Sequence, residues 1–375
     1  MSFNGVRDFM KGMAEGSKIA GCAAAVYRKG QRLFCGYEGY ADIESKTPIG
    51  EKSAFRLASM TKPITAAAIL ICRQNHLVDL NDRVCDYLPE FRDMYLARKT
   101  QGGYERGERA KRNITVLNLL SHSSGLGSGA AGDAQFNAVQ PREGDCLASA
   151  VSRYGSVLLD FEPSSAQAYS PVLGLDVAAR IVEIASGKPY GKFVRENIFI
   201  PLGMNSTSYD LNDFDKEDIV SSYESVDGIL KGGKPLHNFG DFPAGYTGGG
   251  AGLLSTTDDY ARFADMLRAA LRGEERILTR ESVIEMKKPR FGRETEGISE
   301  IFNWGLGVRT VEAQTALQPL SPGSFGWSGA YGTHFWVDPK EDVVAVYMHN
   351  SYTYGGAGAP HTLQFEREVM RALNC

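Results

Sequence analysis

Between Ile64 and Ile71 the chain reads Ile-Thr-Ala-Ala-Ala-Ile-Leu-Ile, with Thr65 as its one polar residue. A helix on a protein surface alternates an apolar stripe with a polar face. This stretch has no polar face, so as a helix it must be buried. Immediately before it stands Phe55-Arg56-Leu57-Ala58-Ser59-Met60-Thr61-Lys62-Pro63, which holds the one Ser-x-x-Lys of the sequence. A turn entering the buried helix near Ser59 is therefore expected. Residues three apart share a helix face, which sets the Lys62 amine one turn above the Ser59 hydroxyl. The helix N-terminus adds unpaired N–H groups and a positive dipole end. Such a place suits an oxyanion. It also disfavours a charged amine, as burial does. An uncharged amine can accept a serine proton. Pro63 fits the first turn, where a missing donor costs least.

Serine and lysine are common, and a helix cap followed by a surface lysine is the plain alternative. The apolar run argues against it, because a lysine at the mouth of a buried helix points into a site. Composition narrows the rest. The 375 residues are 43% hydrophobic and 23% charged, ordinary for a soluble globular chain. A formal charge of −4 leaves no electrostatic footprint for nucleic acid. No apolar run approaches the ~18 residues of a membrane-spanning helix. Met1 to Ser17 mixes Arg7, Asp8, Lys11 and Glu15 with Phe3, Val6, Phe9, Met10 and Met13. That is an amphipathic helix and not a signal peptide, so a cytoplasmic location is the default.

The six cysteines, at positions 22, 35, 72, 85, 146 and 375, form no Cys-x-x-Cys pair. Cys22 and Cys35 fall in adjacent expected strands, where a bridge is conceivable; free and mostly buried thiols are favoured. The histidines, His237 among them, show no His-x-x-x-His spacing, and neither a metal nor a cofactor is expected.

Residues 20–38 predict a β-hairpin turning at Arg28-Lys29-Gly30-Gln31. The helix after Ser59 is expected over 60–75, and a short one over Val84 to Leu88 stops at Pro89. Residues 92–113 read as a polar surface excursion or hairpin. Ile114 to His122 predicts a short buried helix with Asn113, and not Thr115, as its cap. Residues 127–145 read as a mobile loop over a pocket. Tyr169 sits just before an apolar helix running from Val172 to Ile184 and stopped by Gly187. Packing of a helix start is its plain role. Residues 205–245, with Gly240, are loop-rich. Gly248-Gly249-Gly250 matches no phosphate-binding fingerprint and reads as tight backbone turning. Thr256 or Thr257 caps a following amphipathic helix. Residues 303–311 predict one strand and Phe325 to Val337 a second. Val343 to Met348 predicts a third, with a final helix over Leu363 to Leu373. Strands and helices at both ends around a helical middle argue for an α+β fold with a helical insertion.

Taken together, the chain resembles the serine β-lactamase and penicillin-binding-protein superfamily. The likeness is strongest to the class C-like branch that holds the family VIII carboxylesterases. Ser59-Met60-Thr61-Lys62 matches the first family motif. Tyr169-Ser170-Pro171 matches Tyr-x-Asn in part, and Trp327-Ser328-Gly329 corresponds to Lys-Thr-Gly or its Trp-x-Gly variant. Three motifs in family order, each in the expected local structure, make a specific signal. Gly-x-Ser-x-Gly occurs nowhere, which removes the α/β-hydrolase reading.

The resemblance implies an antiparallel sheet flanked by terminal helices, formed by 1–85 with 246–375, and a mostly helical domain over 86–245. The active site would lie in the cleft between them. It implies Ser59 as nucleophile, with Lys62 and Tyr169 sharing its proton, and the N–H groups of Ser59 and Ala330 as oxyanion hole. Trp327, Ser328 and Gly329 would bind substrate, a small-molecule ester. Proline stands in place of the family asparagine and tryptophan in place of the lysine that holds a substrate carboxylate. Both departures point to esters over β-lactams. An amidase of D-amino-acid substrates, a weak β-lactamase and a non-catalytic binding or assembly protein remain as alternatives.

Overall fold

The computed structural model describes residues 1–233 and 242–374; His237, Gly240 and Cys375 lie outside them. Its centre is an eight-stranded antiparallel sheet. The strands are β1 (Gly21–Arg28), β2 (Gln31–Asp42), β3 (Thr47–Pro48), β4 (Phe302–Trp304), β5 (Arg309–Val311), β6 (Phe325–Ser328), β7 (Thr333–Asp338) and β8 (Val343–His349). They lie in the order β4-β5-β6-β7-β8-β1-β2-β3, so the two ends of the chain meet where β8 pairs with β1. Successive side chains of a strand face opposite ways, and the burial follows that alternation. Cys22, Ala24, Val26, Trp336, Ala345 and Tyr347 pack under α1 (Asn4–Glu15) and the final helix (Pro360–Asn374). Ala23, Trp327, Phe335, Val344, Val346 and Met348 face the main core.

That core is built on α2 (Thr61–Gln74), whose residues from Thr61 to Cys72 are all buried, as its composition requires. Burying each isoleucine or leucine stabilises by about 1.5–3 kcal/mol, so this helix anchors the layers around it. It packs against α3 (Leu173–Ser186), while α4 (Thr257–Leu271) covers β1, β7 and β8. The Thr256 hydroxyl caps α4 by accepting from the Asp259 N–H.

Four expectations need correction. The stretch 303–311 is two strands, β4 and β5, because the chain reverses at Gly305 and Gly307; a side chain at Gly305 would lie 2.1 Å from the Met286 carbonyl. Phe325 to Val337 is the β6–β7 hairpin, turning at residues 329–332, with Trp327 opposite Phe335 and Ser328 opposite His334. Ala330 is thus in a turn. Residues 127–145 contain a helix, Ala130–Val139, whose start is held by the Asp160 carboxylate accepting from the Ala131 and Gly132 N–H groups. The Val116–Leu120 helix is capped by Thr115, in a reciprocal box with Asn118. The polar excursion is a hairpin, Tyr95–Thr100 with Gly103–Arg109. Among the described cysteines all five are free thiols. No helix among the described residues is long and apolar enough to cross a membrane.

Candidate active site

Ser59 sits in a single 3₁₀ turn, Ala58–Met60, directly before α2. Ala58 has φ +44°, a conformation uncommon for a residue with a side chain. The turn is bolted to the β6–β7 hairpin. The Thr333 hydroxyl donates to the Leu57 carbonyl at 3.0 Å, and a Cβ at Gly329 would lie 2.1 Å from that same oxygen. Glycine is required at 329 so that the hairpin can touch the Ser59 turn. Among the described residues, neither the Ser59 nor the Ala330 N–H donates to a backbone carbonyl.

Lys62 lies one turn beyond Ser59 and is fully buried. Its Nζ is 3.2 Å from Ser59 Oγ, 2.6 Å from the Pro171 carbonyl and 2.8 Å from the Gly250 carbonyl. Two carbonyls accept its N–H bonds and leave its remaining direction for Ser59. Tyr169 arrives from the other side, its phenol oxygen 2.7 Å from Ser59 Oγ, its ring centroid 5.0 Å from Lys62 Nζ. The three groups the sequence singled out therefore meet at one hydroxyl.

Tyr169 stands in an aromatic box. Its ring lies 5.7 Å from Trp304 and 5.3 Å from Trp327, and the two tryptophans meet edge-on at 4.5 Å. Trp327 Nε1 donates to the phenol oxygen at 3.3 Å. Trp327 thus orients Tyr169 as well as walling the site. Ser328 points to the opposite sheet face, where its hydroxyl is 2.8 Å from His334 Nδ1 and His334 Nε2 is 3.1 Å from Glu366 Oε1. Strand alternation turns its side chain away from Trp327's side.

Two residues escaped the sequence reading. His122 holds Tyr169 from both sides: its carbonyl accepts from the Ala168 N–H at 3.0 Å and its Nδ1 from the Ser170 N–H at 3.1 Å. Its ring lies 4.6 Å from the tyrosine ring, tilted by 48°. Burial, and then the nearby Lys62, holds this imidazole well below the usual range, so it is neutral. The signal available was a histidine closing a short buried helix. The second is Asp176, a carboxylate among the apolar residues of α3 and fully buried.

A serine between a buried lysine and a tyrosine, at the head of a buried helix beside an antiparallel sheet, defines a serine hydrolase. The Beta-lactamase family model matches residues 6–365, and the chain belongs to that family. It is 28% identical over 379 residues to "Esterase EstB" of Burkholderia gladioli, covering 94% of this chain and 91% of that protein. It is 26% identical over 366 residues to "Protein Rv1367c" of Mycobacterium tuberculosis (strain ATCC 25618 / H37Rv), covering 93% and 90%. The solved structure of "EstCE1, a hydrolase with promiscuous acyltransferase activity" shares the fold at TM-score 0.84 and 24% identity, covering 98% of this chain and 97% of that one.

Proposed function

We propose that this protein hydrolyses carboxylic esters through an acyl-enzyme on Ser59. The observation that carries the reading is the position of Ser59 Oγ, 3.2 Å from Lys62 Nζ and 2.7 Å from the Tyr169 oxygen. Ser59 attacks the ester carbonyl carbon while its proton passes to the Lys62–Tyr169 pair. The pair is coupled through Ser59, so the base belongs to both groups. The tetrahedral oxyanion is bound by the Ser59 and Ala330 N–H groups, each worth about 3–4 kcal/mol in the transition state. The C–O bond to the alcohol then breaks, and Tyr169 returns the proton to the departing oxygen. Water attacks the acyl carbon by the same route in reverse and frees the acid and Ser59.

Ester over lactam or amide is supported by what lies beside the nucleophile. Pro171 has a carbonyl as its one hydrogen-bonding group, and Lys62 occupies it. Trp327 brings an indole and no charge for a substrate carboxylate. Similarity to an esterase over nearly the whole chain agrees.

The test is hydrolysis of p-nitrophenyl butyrate by the wild type and by Ser59→Ala. Turnover that disappears in the variant is expected. Rapid turnover of nitrocefin or D-alanine p-nitroanilide with little ester activity would move the assignment to a lactamase or amidase. Failure of a fluorophosphonate probe to label Ser59 would point to a non-catalytic binding protein.

A further inference from the structure

We propose that Asp176 is a positioning residue that aims the Gly250 carbonyl at Lys62. The inference rests on the reading of Lys62 as part of the base. Lys62 is gripped by two carbonyls, and α3 governs both. Pro171 lies on the segment entering α3. Gly250 is tied to α3 by Asp176, whose Oδ1 accepts the Gly250 N–H at 2.9 Å. The peptide between Gly249 and Gly250 is pinned at both ends. Its N–H goes to Asp176, and its carbonyl accepts from the Thr65 hydroxyl at 2.7 Å. The carbonyl of the next peptide is the one that meets Lys62.

The glycine run explains why such pinning is needed. A Cβ at Gly249 would lie 2.1 Å from the Leu175 carbonyl, and one at Gly250 would lie 2.9 Å from that of Val172. Only glycine lets this segment lie against α3. Glycine is also the residue least able to hold a peptide orientation by itself. An acceptor fixed on a helix supplies the restraint that the missing side chains cannot.

The carboxylate is itself held. Its Oδ2 accepts from the Tyr246 hydroxyl at 2.6 Å and from that of Tyr154 at 3.3 Å. Burial pushes the carboxyl up, and the Tyr246 hydroxyl, the Gly250 N–H and the Lys62 amine draw it back. No other part of the acyl-transfer chemistry touches it. A buried acid whose partners are a backbone N–H and two tyrosine hydroxyls acts through the backbone it holds.

The experiment compares Asp176→Leu, which cannot accept a hydrogen bond, with Asp176→Asn, which keeps an acceptor oxygen of the same reach. Ester turnover is measured per site titrated with a fluorophosphonate, so that misfolded protein does not count. Asp176→Leu is expected to lose at least about tenfold in kcat with KM within about twofold, the scale of a sub-ångström to ångström misplacement. Asp176→Asn is expected to recover most of that loss. In a Lys62→Ala background Asp176→Leu is expected to cost nothing further, because an effect routed through Lys62 is already gone. Should Asp176→Leu not fold, Asp176→Asn and Thr65→Val carry the test. The first is expected near wild type in kcat. The second frees the other end of the same peptide, and is expected to lower kcat at constant KM. A wild-type kcat in Asp176→Leu, or in Thr65→Val, overturns the proposal. So does an equal loss in Asp176→Asn, or the same factor in the Lys62→Ala background. Near-native activity of Lys62→Ala by itself sinks the mechanism and, with it, any effect routed through Lys62, whereas a loss in Lys62→Ala without one in Asp176→Leu overturns the positioning alone.

Discussion

The phenol oxygen of Tyr169 lies 2.7 Å from Oγ of Ser59, a residue 110 positions earlier in the chain. Lys62 and Tyr169 flank the same hydroxyl. Lys62→Ala and Tyr169→Phe should each slow acylation by at least about a hundredfold, the scale of a general base. The double variant should be little worse than either, because the two act as one unit. Stopped-flow release of p-nitrophenol checks this, and near-native acylation in either single variant would contradict the assignment.

Trp327 donates to the Tyr169 oxygen at 3.3 Å while its ring walls the site. Trp327→Phe keeps an apolar wall and removes the donor. A neutral hydrogen bond is worth about 0.5–1.5 kcal/mol, so kcat should fall about two- to tenfold with little change in KM for a short acyl ester. A change confined to KM would show that the indole serves only as a wall.

His122 holds the N–H groups on both sides of Tyr169, one by its backbone and one by its ring. His122→Phe keeps a ring against the tyrosine and leaves the buried Ser170 N–H without its acceptor. Loss of about 1–3 kcal/mol of stability is expected in urea unfolding. Turnover per titrated site should fall at least about tenfold as Tyr169 loosens. Unchanged turnover per site would reduce His122 to packing.

A side chain at Gly329 would meet the Leu57 carbonyl at 2.1 Å and the Thr333 hydroxyl at 2.3 Å. Gly329→Ala must therefore push the β6–β7 turn off the Ser59 turn. Overpacking of this kind costs about 1–3 kcal/mol, visible in the urea midpoint. The Ala330 N–H moves with the turn, so kcat should fall together with stability. Wild-type kinetics in this variant would show that the turn does not form the oxyanion site.

Acid should weaken the fold through a buried histidine pair. His349 and His361 face each other, Nε2 to Nε2 at 3.1 Å. Burial, and then the opposing His361, holds His349 well below the usual range; burial brings His361 down to about 4. The unfolded chain protonates these rings near pH 6.5, before the folded one does. Their contribution is thus whole above about 6.5 and is lost as pH falls toward about 4. Thermal midpoints should drop across that window, and His361→Asn should flatten the drop. A midpoint independent of pH there would rule the pair out as its source.

Much of the site could be read from residue order because part of it is local. Ser59 and Lys62 are three residues apart, and helical geometry alone puts them on one face. The run behind them, apolar but for Thr65, allows only a buried helix, and the structure has one. The hairpin at Arg28 to Gln31 and the caps at Gly187 and Thr256 are equally local, each decided by a few neighbouring residues. Where local signals were ambiguous, boundaries moved. The strand expected over Phe325 to Val337 folds back on itself, since hydrophobic alternation does not reveal a four-residue turn.

His122 and Asp176 show the other side. Nothing near His122 in the chain announces that it grips the peptide groups around Tyr169. Nothing near Asp176 announces that it pins Gly250, 74 residues on. Ser328 looked like a site residue by its neighbours, yet the pleat of β6 turns its hydroxyl toward His334. Helix period, burial and the pairing of Ser59 with Lys62 are properties of short segments and follow from order alone. Which carbonyls surround the lysine, which ring steadies the tyrosine and which face of a strand meets the cleft depend on contacts between distant segments. Those contacts exist only once the sheet closes β8 onto β1 and the core forms around α2.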